Sequence, residues 1–156
     1  MKKLNLLLII FIVLSILACS SDDNNDTQFS KEELLIQNSP WTFNHYEMIN
    51  IVDAGNSDFT QTDIETDINQ VVSGNVLTFN SNGTGSSFTP GEGTDTWQWE
   101  IINNNQLKIL FDGTTESSTF ENLNVSSSQL VIESESVSYD AVVGFEVLHY
   151  GKFFYE

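Results

Sequence analysis

The chain has 156 residues, with 22 acidic side chains against five lysines and no arginine, for a net charge of −17. Such a polyanion repels phosphate backbones, which argues against nucleic acid as a partner, and it is repelled by anionic headgroups, so any hold on a membrane must come from something other than surface charge. The single cysteine, Cys19, rules out an internal disulfide.

Met1–Lys3 is a short basic start, and Leu4–Leu17 is apolar except for Asn5 and Ser15. As a helix that run spans about 21 Å, short of the roughly 30 Å of a bilayer's hydrocarbon core. A basic start, a short apolar run and a small residue, Ala18, before the break form a secretory signal over residues 1–18 rather than an anchor or core helix. Ile16-Leu17-Ala18-Cys19 resembles the lipobox of bacterial lipoproteins. That resemblance implies cleavage before Cys19 and acylation of its thiol, which gives a lone cysteine in an oxidising compartment a use. Acyl chains contribute about 0.8 kcal/mol per buried methylene, so several hold a protein on a bilayer firmly. Residues 19–28, with Asp22, Asp23 and Asp26 and almost nothing apolar to bury, read as a disordered acidic tether. An acidic stretch directly after a lipidated cysteine also resembles the signal that some gram-negative bacteria use to place lipoproteins on the outer cell surface.

Residues 29–156 form one domain. Ser30 with Glu33 is a capping-box pattern ahead of Leu34, Leu35 and Ile36, which predicts a helix from Phe29 to Gln37 ended by Asn38-Ser39-Pro40. Trp41 and Phe43 then alternate with polar residues, opening a strand over 41–52. Thr62 with Glu65 is a second capping-box pattern. Ile64, Ile68, Val71 and Val72 follow at helical spacing, and Gly74 is placed as the stop. Beyond Gly74 the pattern is strand and turn: 76–80, 84–89, 95–102, 106–111, 114–125, 129–134 and 144–155. Ser81-Asn82-Gly83, Pro90–Gly93, Asn103–Asn105, Asp112-Gly113 and Ser126–Ser128 mark the turns. Links this short pair neighbouring strands antiparallel. Eight meandering strands avoid two raw edges by closing, and an eight-stranded barrel is just wide enough for one small ligand. The expected fold is an all-β, eight-stranded antiparallel meander barrel with one or two short helices.

Trp41 at the start of the first strand, Leu77-Thr78-Phe79-Asn80-Ser81-Asn82-Gly83-Thr84, Thr96-Trp97-Gln98-Trp99-Glu100-Ile101, and the asparagine turn into Leu107-Lys108-Ile109 together resemble the lipocalin-like lipoproteins of gram-negative bacteria. The resemblance covers roughly residues 31–156. It implies a β-barrel and no particular ligand, since fold does not fix function.

No nucleophile-elbow motif is present, and the serines, histidines and aspartates have no triad-like spacing. Gly83-x-Gly85 lacks the third glycine of a dinucleotide fingerprint and reads as a hairpin. No cysteine–histidine cluster calls for zinc. Asp63, Glu65, Asp67 and Asn69 alternate like calcium ligands, yet on a helix they point to different sides. No catalytic residue, metal or cofactor is therefore expected, and the interior is the place to seek a site. Strand parity turns Phe43, His45, Leu77, Phe79, Trp97, Trp99, Ile109, Phe111, Leu130, Ile132, Val147 and His149 inward. These side chains either fill the barrel or wall an apolar pocket, with His45 and His149, from neighbouring first and last strands, as core histidines or polar handles. The leading expectation is an outer-membrane, surface-exposed lipoprotein that binds a small apolar or amphipathic molecule without catalysis. The alternative is an interaction module, an adhesin or an accessory subunit of an envelope complex, with a filled core.

Overall fold

The computed structural model describes residues 29–115, 117–140 and 144–156. Residues 1–28, which hold Cys19, the expected signal and the expected tether, lie outside the described residues. Two helices and eight strands follow in the order α1 (Lys31–Gln37), β1 (Trp41–Asp53), α2 (Gln61–Val71), β2 (Val76–Phe79), β3 (Thr84–Thr89), β4 (Gly93–Ile102), β5 (Gln106–Phe111), β6 (Ser117–Val125), β7 (Leu130–Asp140) and β8 (Phe145–Tyr155). The strands form a closed antiparallel barrel in sequence order, with β1 sealed against β8.

The turns are built as their residues require. Gly83 has φ of 79°, and Asn82 accepts hydrogen bonds from the Thr84 backbone and hydroxyl through its Oδ1. Asn103 and Asn104 both take the left-handed conformation, which asparagine tolerates because its side chain bonds locally. Three strand limits differ from the sequence reading by two residues or more. The Thr114 N–H bonds back to the Phe111 carbonyl, so residues 114–115 belong to the turn and β6 pairing begins at Ser117↔Leu110. β4 starts earlier, at Gly93. β7 continues to Asp140 because Glu135–Asp140 pairs with Phe145–Tyr150. Its inward positions there are serines, so the hydrophobic alternation disappears while the strand goes on.

The barrel has two unlike ends. At the closed end, α1 lies across the opening, begun by the Ser30–Glu33 capping box. Leu35 is fully buried, and the Trp41 indole N–H donates to the Leu35 carbonyl at 3.0 Å. Lys31 reaches across the barrel to the Leu123 carbonyl at 2.6 Å and to Asn105. Above it Phe79 packs edge-on against both Trp97 and Trp99, with ring centroids 5.1 and 5.3 Å away. Gly85 sits directly opposite Trp97, and a Cβ there would overlap the indole ring. The missing side chain is what lets the Trp97 ring lie against β3.

At the other end β1, β8 and β7 run on past their neighbours. β1 pairs with β2 only at Trp41↔Leu77 and Thr42↔Val76, and β6 with β7 only as far as Glu121↔Glu133. The bare edge of β1 is covered by α2. Asn69 accepts from the Tyr46 N–H and donates to the Tyr46 carbonyl, as a neighbouring strand would, and Glu65 accepts from the Met48 N–H. This use of Glu65 explains a second difference from sequence. The capping box of α2 is Thr60 with Asp63, two residues earlier than Thr62 with Glu65. The four residues that alternate like calcium ligands thus diverge. Asp63 caps, Glu65 and Asn69 bind β1, and Asp67 lies near His149. Gly74, with φ of 74°, follows the end of the helix.

Candidate functional site

The inward columns change character along the barrel axis. β7 contributes Leu130 and Ile132 low in the barrel, then Ser134 and Ser136. β3 contributes Gly85, Ser87 and Thr89, and β6 contributes Leu123 and Val125 low, then Ser118 near the open end. Large side chains therefore meet near α1, and small hydroxylated ones near the mouth. The room they leave is a cavity of about 390 Å³, within the range of small-molecule sites. Its apolar lining is Leu77, Trp97, Ile109, Phe111, Phe120, Ile132, Phe153 and Tyr155. Ser87, Thr89, Ser118, Ser134, Ser136 and Asn75 supply its polar part, Val71 and Val72 at the end of α2 close one side, and Glu92 and Glu135 stand at the lip.

Five of the inward residues expected from parity line this cavity: Leu77, Trp97, Ile109, Phe111 and Ile132. Phe43, Phe79, Trp99, Leu130 and Val147 are buried in the core instead. His45 is a correction. β1 bulges between Phe43 and His45, which oppose Tyr155 and Phe154, so the extra residue reverses the parity of the strand. His45 lies on the outer face, stacked on Phe154 at 4.3 Å and within 3.3 Å of Glu47. Tyr46 takes the inward place. The same event occurs on β6, where Asn122 is left-handed at a register shift and inward order passes from Phe120 to Leu123.

His149 is inside, fully buried, but it does not reach the cavity. Its Nδ1 is 2.7 Å from the Tyr46 hydroxyl and its Nε2 is 3.2 Å from Ser138 Oγ. A Cβ on Gly151 would overlap the Tyr46 hydroxyl, so glycine is what admits the ring. Burial lowers the His149 pKa below its ordinary 6.5, with nearby Asp67 opposing, and burial raises Tyr46 to about 12. Neutral imidazole suits this chain, since one ring nitrogen donates while the other accepts. A serine beside a histidine suggests a nucleophile and its base, yet Ser138 is only 1% exposed and has no open side for a substrate.

Two buried polar groups do face the cavity. Asn75 is 7% exposed and its Nδ2 donates to the Phe88 carbonyl and to Thr89 Oγ1, so its Oδ1 has no protein partner among the described residues. Tyr155 is 5% exposed with no hydrogen bond from its hydroxyl among the described residues, and burial raises its pKa. No described buried side-chain polar atom is both fully enclosed and unpaired, which leaves both oxygens in touch with open space. Sequence reasoning missed Asn75, Ser87, Ser118, Ser134 and Ser136: Asn75 and Ser136 fall outside the expected strands, and Ser87, Ser118 and Ser134 lie on them but are too small and polar to stand out as lining residues. Their alternation on β3 and β7 was the available signal.

No protein-family model matches the chain, and no curated protein matches it.

Proposed function

We propose that this is a non-enzymatic carrier or sensor of a small apolar or amphipathic molecule, held in the mouth of the barrel. The observation that supports it best is the cavity of about 390 Å³, with an apolar lining, hydroxyls and two buried oxygens open to it. Burial of a ligand's apolar surface there supplies the affinity, at roughly 25 cal/mol per Å², and the polar groups fix its orientation. The lipobox resemblance supports a lipid anchor at Cys19, and the strand and turn pattern supports kinship with lipocalin-like lipoproteins. Such an anchor joins the barrel at its closed end, since Ser30 begins α1. Ten residues of tether reach at most about 35 Å, which keeps the closed end near the bilayer and leaves the mouth free to face away from it, as a surface-exposed binder at an outer membrane requires.

Native mass spectrometry of the delipidated protein from its own host tests the reading. A bound adduct in the wild type that is lost from Ser136→Trp, which fills the mouth, supports it. Wild type that neither carries nor takes up any small amphiphile contradicts it. The rival interaction module is favoured by one feature, the exposure of Ile49, Val52 and Val137 on the strands that run beyond the mouth.

A further inference from the structure

The groups that line the cavity also speak to the head group of its ligand. We infer that the site takes amphiphiles whose polar end donates hydrogen bonds, an amine above all, and turns away carboxylates. This rests on the reading of the cavity as a binding site.

Asn75 carries the argument. Both ends of its peptide unit are tied down: the Asn75 N–H donates to the Val72 carbonyl, and the Phe43 N–H donates to the Asn75 carbonyl at 2.8 Å. Its side-chain nitrogen is held by two acceptors, at 3.2 and 2.9 Å. A flip of the amide would set its oxygen against the Phe88 carbonyl, so Oδ1 is fixed as the group on offer. It is a buried acceptor with no donor of its own, and a ligand acceptor placed against it leaves both unpaired at a real cost.

The lip points the same way. Glu92, in the β3–β4 turn, and Glu135, which strand alternation turns to the outer face of β7 at the rim, make no hydrogen bond or ion pair through their carboxylates among the described residues, and no lysine or histidine lines the cavity. Each described lysine is engaged elsewhere: Lys31 at the closed end, Lys108 with Glu100 at 3.0 Å and Lys152 with Glu133 at 3.7 Å. An anionic head group would meet the negative field of the rim and no counter-ion. A cationic one would meet the same negative rim around a neutral acceptor. The Tyr155 hydroxyl, which can donate or accept, does not discriminate.

Decylamine, decanol and decanoate, matched in chain length and used below their aggregation limits, test this by calorimetry and by the tryptophan emission that Trp97 in the lining reports. The expected order is amine, then alcohol, then carboxylate. Amine and carboxylate should differ by at least about ten-fold, the scale of two solvated carboxylates at the rim, and the gap should shrink in high salt. In Glu92→Gln/Glu135→Gln the gap should narrow, and in Glu92→Lys/Glu135→Lys it should close or reverse. Both positions are exposed, so the variants should fold as the wild type does. Decanoate binding as tightly as decylamine overturns the head-group inference and leaves the cavity reading intact. Amine binding that survives unchanged in Ser136→Trp is attraction to the acidic surface and also overturns it. Failure of all three, decanol included, defeats the cavity reading itself.

Discussion

The two ends of this barrel are made from the same strands and behave as different materials. Near α1 the inward residues are Leu35, Trp41, Phe79, Trp97, Leu107 and Leu130, each 7% exposed or less, and they interlock. Near the mouth the same columns supply Ser87, Thr89, Ser118, Ser134 and Ser136, which are too small to meet across the axis. One end supplies cohesion and the other supplies room. The lesson is that a small barrel need not be wholly solid or wholly hollow, because side-chain size along each strand sets how far the packing reaches.

The largest test of this contrast removes a large side chain from the packed end. Leu35→Ala or Trp41→Ala should cost about 3–5 kcal/mol in urea denaturation, because each leaves a cavity in a region that cannot collapse. Gly85→Val should cost about 2 kcal/mol or more, since the new side chain drives Trp97 from its place. Breaking the clasp between α2 and β1 with Asn69→Ala should cost about 1–2 kcal/mol. It leaves the Tyr46 backbone groups unpaired, and hydrogen exchange at Tyr46 should rise with it. Ser136→Ala at the mouth should change stability by less than about 0.5 kcal/mol, and a large loss there would mean that the mouth is packed too.

The buried histidine gives a pH signature between these ends. Because the folded state lowers the His149 pKa below 6.5, the unfolded chain takes up a proton first as pH falls. Its contribution is fully present above pH 6.5 and is lost on acidification towards the lower folded value. The wild type should therefore lose stability below about pH 6.5 more steeply than His149→Gln, measured as the denaturation midpoint across that window. Parallel pH curves would mean that the imidazole is not held neutral.

The closed end was the more legible in sequence. Trp41, Leu77, Phe79, Trp97, Trp99, Leu107 and Ile109 alternate with polar residues, and the asparagine and glycine turns state where the strands reverse. Those signals carry the eight strands, their order and the closure of β1 on β8. The mouth was harder for two physical reasons. A bulge adds one residue to β1 without any mark in composition, which is how His45 came to be expected inside while Tyr46 is. Serines at inward positions of β7 abolish the alternation that reveals a strand, so the sequence pattern ends at Ser134 while the cavity wall continues. Asn75 was hidden for a related reason, since beside Gly74 it looks like a turn residue.

The most direct test of the contrast between the ends is a nitrogen-15 chemical-shift map of the protein titrated with decanol. Saturable shifts should centre on Ser87, Thr89, Ser118, Ser134 and Ser136, with Leu35, Trp41 and Leu130 unmoved. Shifts confined to the exposed strands around Ile49, Val52 and Val137, or no saturable shift at the mouth, would contradict that contrast.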